Sequence, residues 1–187
     1  PLTVLTAIAR DVRSRKLGKQ ADEIDEQADA MYRHVEKALV RARLSTGRGH
    51  ASTALRPIVE KVISALERLP GGDELDWELH VLAGTAVPIE QGDLTELLGN
   101  LLDNARKWAR TRVKISFTAP HMIIEDDGPG VPDAELSHIA ERGRRLDESK
   151  QGSGLGLSIV EDIADIYGLT VDYDRSDLGG LRVTIRV

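Results

Sequence analysis

The sequence predicts an α+β protein, a two-helix antiparallel hairpin followed by a larger domain that mixes helices and strands. Three observations predict it. Apolar residues recur every three or four positions through the first 44 residues. The polar, glycine-rich segment Ser45-Thr46-Gly47-Arg48-Gly49-His50 then breaks the pattern. Beyond it, helical spacing alternates with short strand-like runs.

Residues 2–16 place Leu2, Leu5, Ile8 and Val12 on one helix face, and Gly18 ends that helix. Ile24, Ala28, Met31, Val35, Ala38 or Leu39, and Ala42 mark a second helix, which runs to about Leu44. The two form a hairpin over residues 1–46. A lone hairpin cannot bury both apolar stripes, so it is expected to pair with a second copy. Residues 47–53 read as a linker, and the larger domain spans 54–187. Leu55, Ile58, Val59, Val62, Ile63 and Leu66 predict a helix, ended by Leu69-Pro70-Gly71-Gly72-Asp73. Residues 75–82 read as a strand. Asp93-Leu94-Thr95-Glu96 reads as a capping box opening a helix to about Ala109. Strands follow at 112–118 and 121–125, joined through Ala119-Pro120. A helix is expected near 133–140, then a charged stretch. A further helix follows the glycine run and ends near Tyr167. Strands at 169–173 and 181–187 close the domain around Gly179-Gly180.

Composition narrows the function classes. The chain has 187 residues and no cysteine, which excludes a disulfide scaffold, a thiolate metal site and a cysteine nucleophile. Its net charge of −6 argues against a general nucleic-acid binder. Residues 1–50 carry about +3 and the remainder about −9, a shift that itself indicates two modules. No apolar run approaches the ~20 residues of a membrane span. The start, Pro1-Leu2-Thr3-Val4, lacks signal-peptide character and an initiator Met, and reads as part of a longer protein.

Three motifs carry chemistry. In Asn100-Leu101-Leu102-Asp103-Asn104-Ala105-Arg106-Lys107-Trp108, the residues Asn100, Asn104 and Lys107 share one helix face. Amide carbonyls suit Mg²⁺ and an ammonium suits phosphate, although a solvated helix face has the same pattern. Glu125-Asp126-Asp127-Gly128-Pro129-Gly130-Val131-Pro132 follows an apolar strand. Three adjacent acids repel unless something uses them. A carboxylate beside a glycine pair can accept a hydrogen bond from a base, although a surface turn has the same composition. Gly152-Ser153-Gly154-Leu155-Gly156-Leu157 precedes a helix, where bare backbone N–H groups favour an anion. It is neither a Walker loop nor the dinucleotide fingerprint, and it lacks a serine-hydrolase elbow.

In this order and spacing, the three resemble the N, G1 and G2 boxes of the ATP-binding domain shared by sensor histidine kinases, heat-shock-90 chaperones, type II topoisomerases and MutL repair proteins. The first two boxes look most like those of a bacterial two-component sensor histidine kinase. Glu141-Arg142-Gly143-Arg144-Arg145-Leu146-Asp147 resembles the lid of its PhoQ-type branch. Pro1-Leu2-Thr3-Val4-Leu5 resembles the end of an H box, so the resemblance covers nearly the whole chain.

The resemblance implies a dimerising hairpin and a two-layer α/β sandwich, with a mixed sheet covered by helices on one face. It implies ATP or ADP and Mg²⁺ as ligands. Asp126 would accept from the adenine amino group, in a pocket shaped by Gly128, Gly130, Val131 and Ile139. Asn100 and Asn104 would hold Mg²⁺ and the phosphates, and Trp108 would stack near the nucleotide. Lys107, Arg142, Arg145 and Lys150 would contact phosphate oxygens. Gly152, Gly154 and Gly156 would form the lid hinge, and Ser153 and Leu155 between them would belong to the ATP site. Ala140 departs from the usual Phe, Trp108 from a common Tyr, and Ser153 from a longer polar residue. The partners implied are a second copy and a response-regulator receiver domain. The location implied is the cytoplasmic region of an inner-membrane protein.

The phosphoacceptor histidine of that family would precede Pro1. None of His34, His50, His80, His121 or His138 replaces it, because each reads as a solvated or packed histidine. The chain is therefore expected to bind ATP without phosphorylating itself. Two other readings are a pseudokinase or phosphotransfer scaffold, which the complete boxes oppose, and another ATPase or a serine-directed kinase of the superfamily, which the hairpin opposes.

Overall fold

The computed structural model describes residues 52–136, 138–140 and 156–187. The expected hairpin at 1–46 and most of the linker lie outside the described residues. Thr53, at the end of that linker, is among the described residues. It forms β1 (Thr53–Ala54), antiparallel to β3 (Ala86–Val87), with Thr53 opposite Val87. Both two-residue strands are too short to leave a periodic signal in the sequence.

Helix α1 (Leu55–Leu66) buries all six of its predicted apolar positions. Helix α2 (Gln91–Trp108) buries Leu94, Leu97, Leu98, Leu101, Leu102 and Ala105 along one side. The expected capping box is not used. The helix starts two residues before Asp93, at Gln91, with Glu90 at the N-cap and no side-chain cap. Asp93 sits inside the first turn, where the helix dipole favours its charge. Its carboxylate accepts a short hydrogen bond from the Tyr167 hydroxyl. Thr95 Oγ1 donates to the Gln91 carbonyl at 2.6 Å.

The main sheet has five strands: β2 (Asp76–His80), β4 (Arg112–Thr118), β5 (His121–Asp126), β6 (Thr170–Arg175) and β7 (Leu181–Arg186). Their order is β2-β4-β5-β7-β6. β2 and β4 are parallel and the other pairs antiparallel, so the sheet is mixed, as expected. Register lines up one apolar face: Leu79, Ile115, Ile124 and Val183 form one row across four strands. Met122, Ile185 and Val113 extend the same buried face. Helix α2 packs on β5, α4 (Gly156–Tyr167) packs on β6, and α1 and α4 both pack against α2. The result is a two-layer sandwich. The opposite face carries Glu78, Lys114, Glu125 and Arg182 in one register row.

The helix expected over 133–140 is shorter. Helix α3 is Asp133–Leu136, and residues 138–140 form turns. There His138 N–H donates to the Glu135 carbonyl at 3.0 Å, an i to i+3 bond that tightens the backbone out of α geometry.

Candidate functional site

The site is assembled where three segments converge: the C-terminal end of β5, the C-terminal end of α2 and the turn between β6 and β7. Asp126 is the last residue of β5 and lies on the same face as Met122 and Ile124. It is 3% exposed, so its carboxylate needs partners. Oδ1 accepts from Gly128 N–H at 2.8 Å and from Leu181 N–H at 3.3 Å. The Asp126 carbonyl accepts from Gly180 N–H at 3.1 Å. The carboxylate is thus oriented from two directions by backbone amides.

Glycine is required here for close packing of backbone. A Cβ on Gly128 would lie 2.5 Å from the Trp108 carbonyl oxygen and 2.7 Å from Asp126 Oδ1. A Cβ on Gly180 would lie 2.0 Å from Asp126 Oδ1. Gly130 has φ +72°, a conformation L side chains rarely adopt, and faces the Gly179 carbonyl. Val131 and Ile139 follow, half-buried against the apolar core. Trp108 is half-buried at the end of α2.

The three adjacent acids do separate work. Glu125 faces the opposite side of the sheet, where Arg182 and Lys114 neutralise it. Asp127 grips the turn between α2 and β4. It accepts from the N–H groups of Arg110, Thr111 and Arg112 at 2.8–3.1 Å and from the Thr111 hydroxyl at 2.6 Å. Partial burial raises the Asp127 pKa, but these donors outweigh it and hold the carboxyl far below the usual carboxylate range. The mutual repulsion expected from the sequence is therefore answered by three separate sets of partners.

On α2, Asn100, Asn104 and Lys107 occupy one side, as their spacing predicts. Asn100 Nδ2 donates to the Glu96 carbonyl at 2.9 Å. Its Oδ1 lies next to the start of α4, 3.4 Å from where a Cβ on Gly156 would stand. Lys107 Nζ lies 2.6 Å from Asp103 Oδ2, and Arg106 Nη2 lies 2.8 Å from Asp103 Oδ1. Partial burial raises the Asp103 pKa, yet hydrogen bonds from Lys107 and Arg106 outweigh it and leave it lowered.

Of the expected site residues, the structure brings Asp126, Gly128, Gly130 and Trp108 together, and places Asn100 beside Gly156. Arg142, Arg145, Lys150, Gly152, Ser153, Gly154 and Leu155 lie outside the described residues. The sequence reading missed Gly180 and Leu181, treated there only as the turn and the first strand residue of the closing hairpin. The adjacent pair Gly179-Gly180 was the available signal, because paired glycines mark close backbone approach as well as turns.

The sequence profile of the histidine kinase-, DNA gyrase B- and HSP90-like ATPases matches residues 89–187. The chain belongs to this ATPase family, in agreement with the sandwich fold and the motif order. The sensor protein kinase CarS of Pseudomonas aeruginosa is 34% identical over 194 residues, covering all of this chain and 43% of that protein. The virulence sensor histidine kinase PhoQ of Salmonella typhimurium is 30% identical over 194 residues, covering 99% of this chain and 40% of that protein. The solved mycobacterial sensor histidine kinase MprB is 26% identical with a TM-score of 0.64, covering 72% of this chain and 95% of that one. The chain thus spans less than half the length of these curated relatives. Among the described residues, no helix is long and apolar enough to cross a membrane.

Proposed function

We propose that this chain is the nucleotide-binding catalytic portion of a two-component sensor histidine kinase. It would position Mg-ATP for transfer of the γ-phosphate to a histidine outside this sequence, and from there to an aspartate on a response regulator. The observation that carries the reading is Asp126, a buried carboxylate with one oxygen fixed by two backbone amides at the mouth of a glycine-lined turn. Such a group is preorganised to accept from the exocyclic amino group of adenine, and a guanine would present an oxygen there.

The residues fit the triphosphate end as well. Asn100 and Asn104 offer neutral oxygen ligands on the α2 face that adjoins Gly156, as a hard cation prefers. Mg²⁺, when bound, would neutralise charge on the phosphates. Lys107 would exchange its Asp103 partner for a phosphate oxygen. Arg142, Arg145 and Lys150 would add positive charge, with the 152–156 glycines as a hinge. Phosphoryl transfer asks for this kind of positioning and electrostatics more than for covalent chemistry. Residues 1–46 would dimerise and 54–187 would bind nucleotide. The parent protein would be membrane-anchored, with this portion cytoplasmic.

Calorimetric titration with ATP and GTP in Mg²⁺ tests the reading. One-to-one ATP binding is expected, weakened by about 1–3 kcal/mol in Asp126→Asn. An unchanged dissociation constant in that variant removes Asp126 from the base site. A chain extended upstream through the H box should form an acid-labile phosphoprotein. ATP binding without phosphorylation of the extended chain would point to a scaffold.

A further inference from the structure

Glu125 stands on the outward face of the sheet, yet it is 3% exposed. Its register partners are Lys114 on β4 and Arg182 on β7. Oε1 accepts from Arg182 Nε at 3.0 Å and from Ser176 Oγ at 3.3 Å, and Oε2 lies 3.5 Å from Lys114 Nζ. Arg182 Nη2 also bonds Asp177 Oδ2 at 2.7 Å.

These contacts converge on the β6–β7 turn. Ser176 closes that turn at both ends. Its N–H donates to the Gly180 carbonyl at 2.9 Å, and its carbonyl accepts from Gly179 N–H at 2.9 Å. Its hydroxyl accepts from Leu178 N–H at 3.0 Å while donating to Glu125. The same turn delivers Gly180 N–H and Leu181 N–H to Asp126. Glu125 and Asp126 are adjacent on β5, so they hold one turn from opposite faces of the sheet. Buried ion pairs add little net stability compared with apolar packing, and their better-attested use is to specify one arrangement.

We propose that Glu125 is a positioning residue for base selection. By holding Ser176 and Arg182 it keeps the β6–β7 turn against Asp126, and thereby fixes the orientation in which that carboxylate meets a purine. The inference rests on Asp126 being the base acceptor. The triphosphate end, on α2, is served by other residues, so Glu125 should govern discrimination between bases more than affinity for phosphate.

The test is equilibrium binding of Mg-ATP and Mg-GTP to the 187-residue chain and to Glu125→Ala, Glu125→Gln and Ser176→Ala. Wild type should prefer ATP. Glu125→Ala should lower the ATP-over-GTP ratio roughly tenfold, with GTP affinity changed less than about twofold. Glu125→Gln keeps an acceptor for Ser176 and Arg182 and should restore most of the ratio. Ser176→Ala removes one hydroxyl, carries little folding risk, and should lower the ratio by about threefold; it decides the matter if Glu125→Ala does not fold. A wild-type ratio in the variants, or equal losses for ATP and GTP, overturns the positioning role alone. A wild type indifferent to the base overturns the Asp126 reading, and this inference with it.

Discussion

Gly180, in the β6–β7 turn, and Asp126, at the end of β5, leave no room for a side chain between them: a Cβ on Gly180 would lie 2.0 Å from Asp126 Oδ1, 2.4 Å from its carbonyl oxygen and 2.6 Å from Gly128 N. Two of these three atoms are backbone, so a rotamer change cannot relieve the overlap. Gly180→Ala should therefore force β5 and the β6–β7 turn apart. The expected cost is about 1–3 kcal/mol of stability, together with weaker ATP binding. A melting temperature and an ATP dissociation constant both at wild-type values would contradict the close packing.

Asp127 gives a pH-dependent prediction. Its folded pKa is depressed by the Thr111 hydroxyl and the backbone N–H groups of residues 110–112. A depressed carboxyl stabilises the fold above its unfolded pKa, and the contribution is lost as pH falls toward the folded value. Asp127→Asn should cost roughly 1–2 kcal/mol at neutral pH, discounted because the group is partly solvated. The gap between wild type and variant in urea denaturation should close as pH drops below about 4. A gap independent of pH would mean that the charge does not matter to the clamp.

Asn104 distinguishes a metal role from a packing role. If its side-chain oxygen helps hold Mg²⁺, Asn104→Ala should weaken ATP binding more with Mg²⁺ than with EDTA, by about tenfold. The protein without nucleotide should melt within a few degrees of wild type, because Asn104 is half-buried on the polar side of α2. Equal losses in both buffers would exclude a metal role.

The pattern of these residues explains what the sequence disclosed. Helices α1 and α2 were legible because their burial follows a local period, and β5 because the apolar run Met122-Ile123-Ile124 marks a strand, although the expected strand stopped one residue short, at Glu125. The motif order identified the ATPase fold. The tertiary partners of the motifs were not legible. Gly180 meets Asp126 from 54 positions away, and the Tyr167 hydroxyl takes Asp93 from 74 positions away. No local period encodes such pairings. The capping-box reading failed because the helix starts earlier, at Gln91, which puts Asp93 inside the first turn, where the Tyr167 hydroxyl donates to its carboxylate. The short β1–β3 ladder escaped because two residues show no alternation.

Tyr167 and the start of α2 yield the last prediction. The α2 N-cap, Glu90, has no side-chain cap, and its N–H donates to Tyr167 Oη at 3.2 Å. The same hydroxyl donates to Asp93, so one phenol from the end of α4 satisfies two groups in the first turn of α2. Burial, and then the Asp93 hydrogen bond, raise the Tyr167 pKa well above its ordinary value and keep the hydroxyl protonated. Tyr167→Phe removes the donor and should cost about 1–2 kcal/mol of stability, the range of a lost cap plus a charged hydrogen bond. Asp93 and Asn104 are eleven positions apart on one helix, about 16 Å along the axis. The loss should therefore appear in the melting temperature, with ATP affinity changed less than about twofold. If affinity fell tenfold at an unaltered melting temperature, the contact would be acting on the nucleotide site through the helix instead of holding its end.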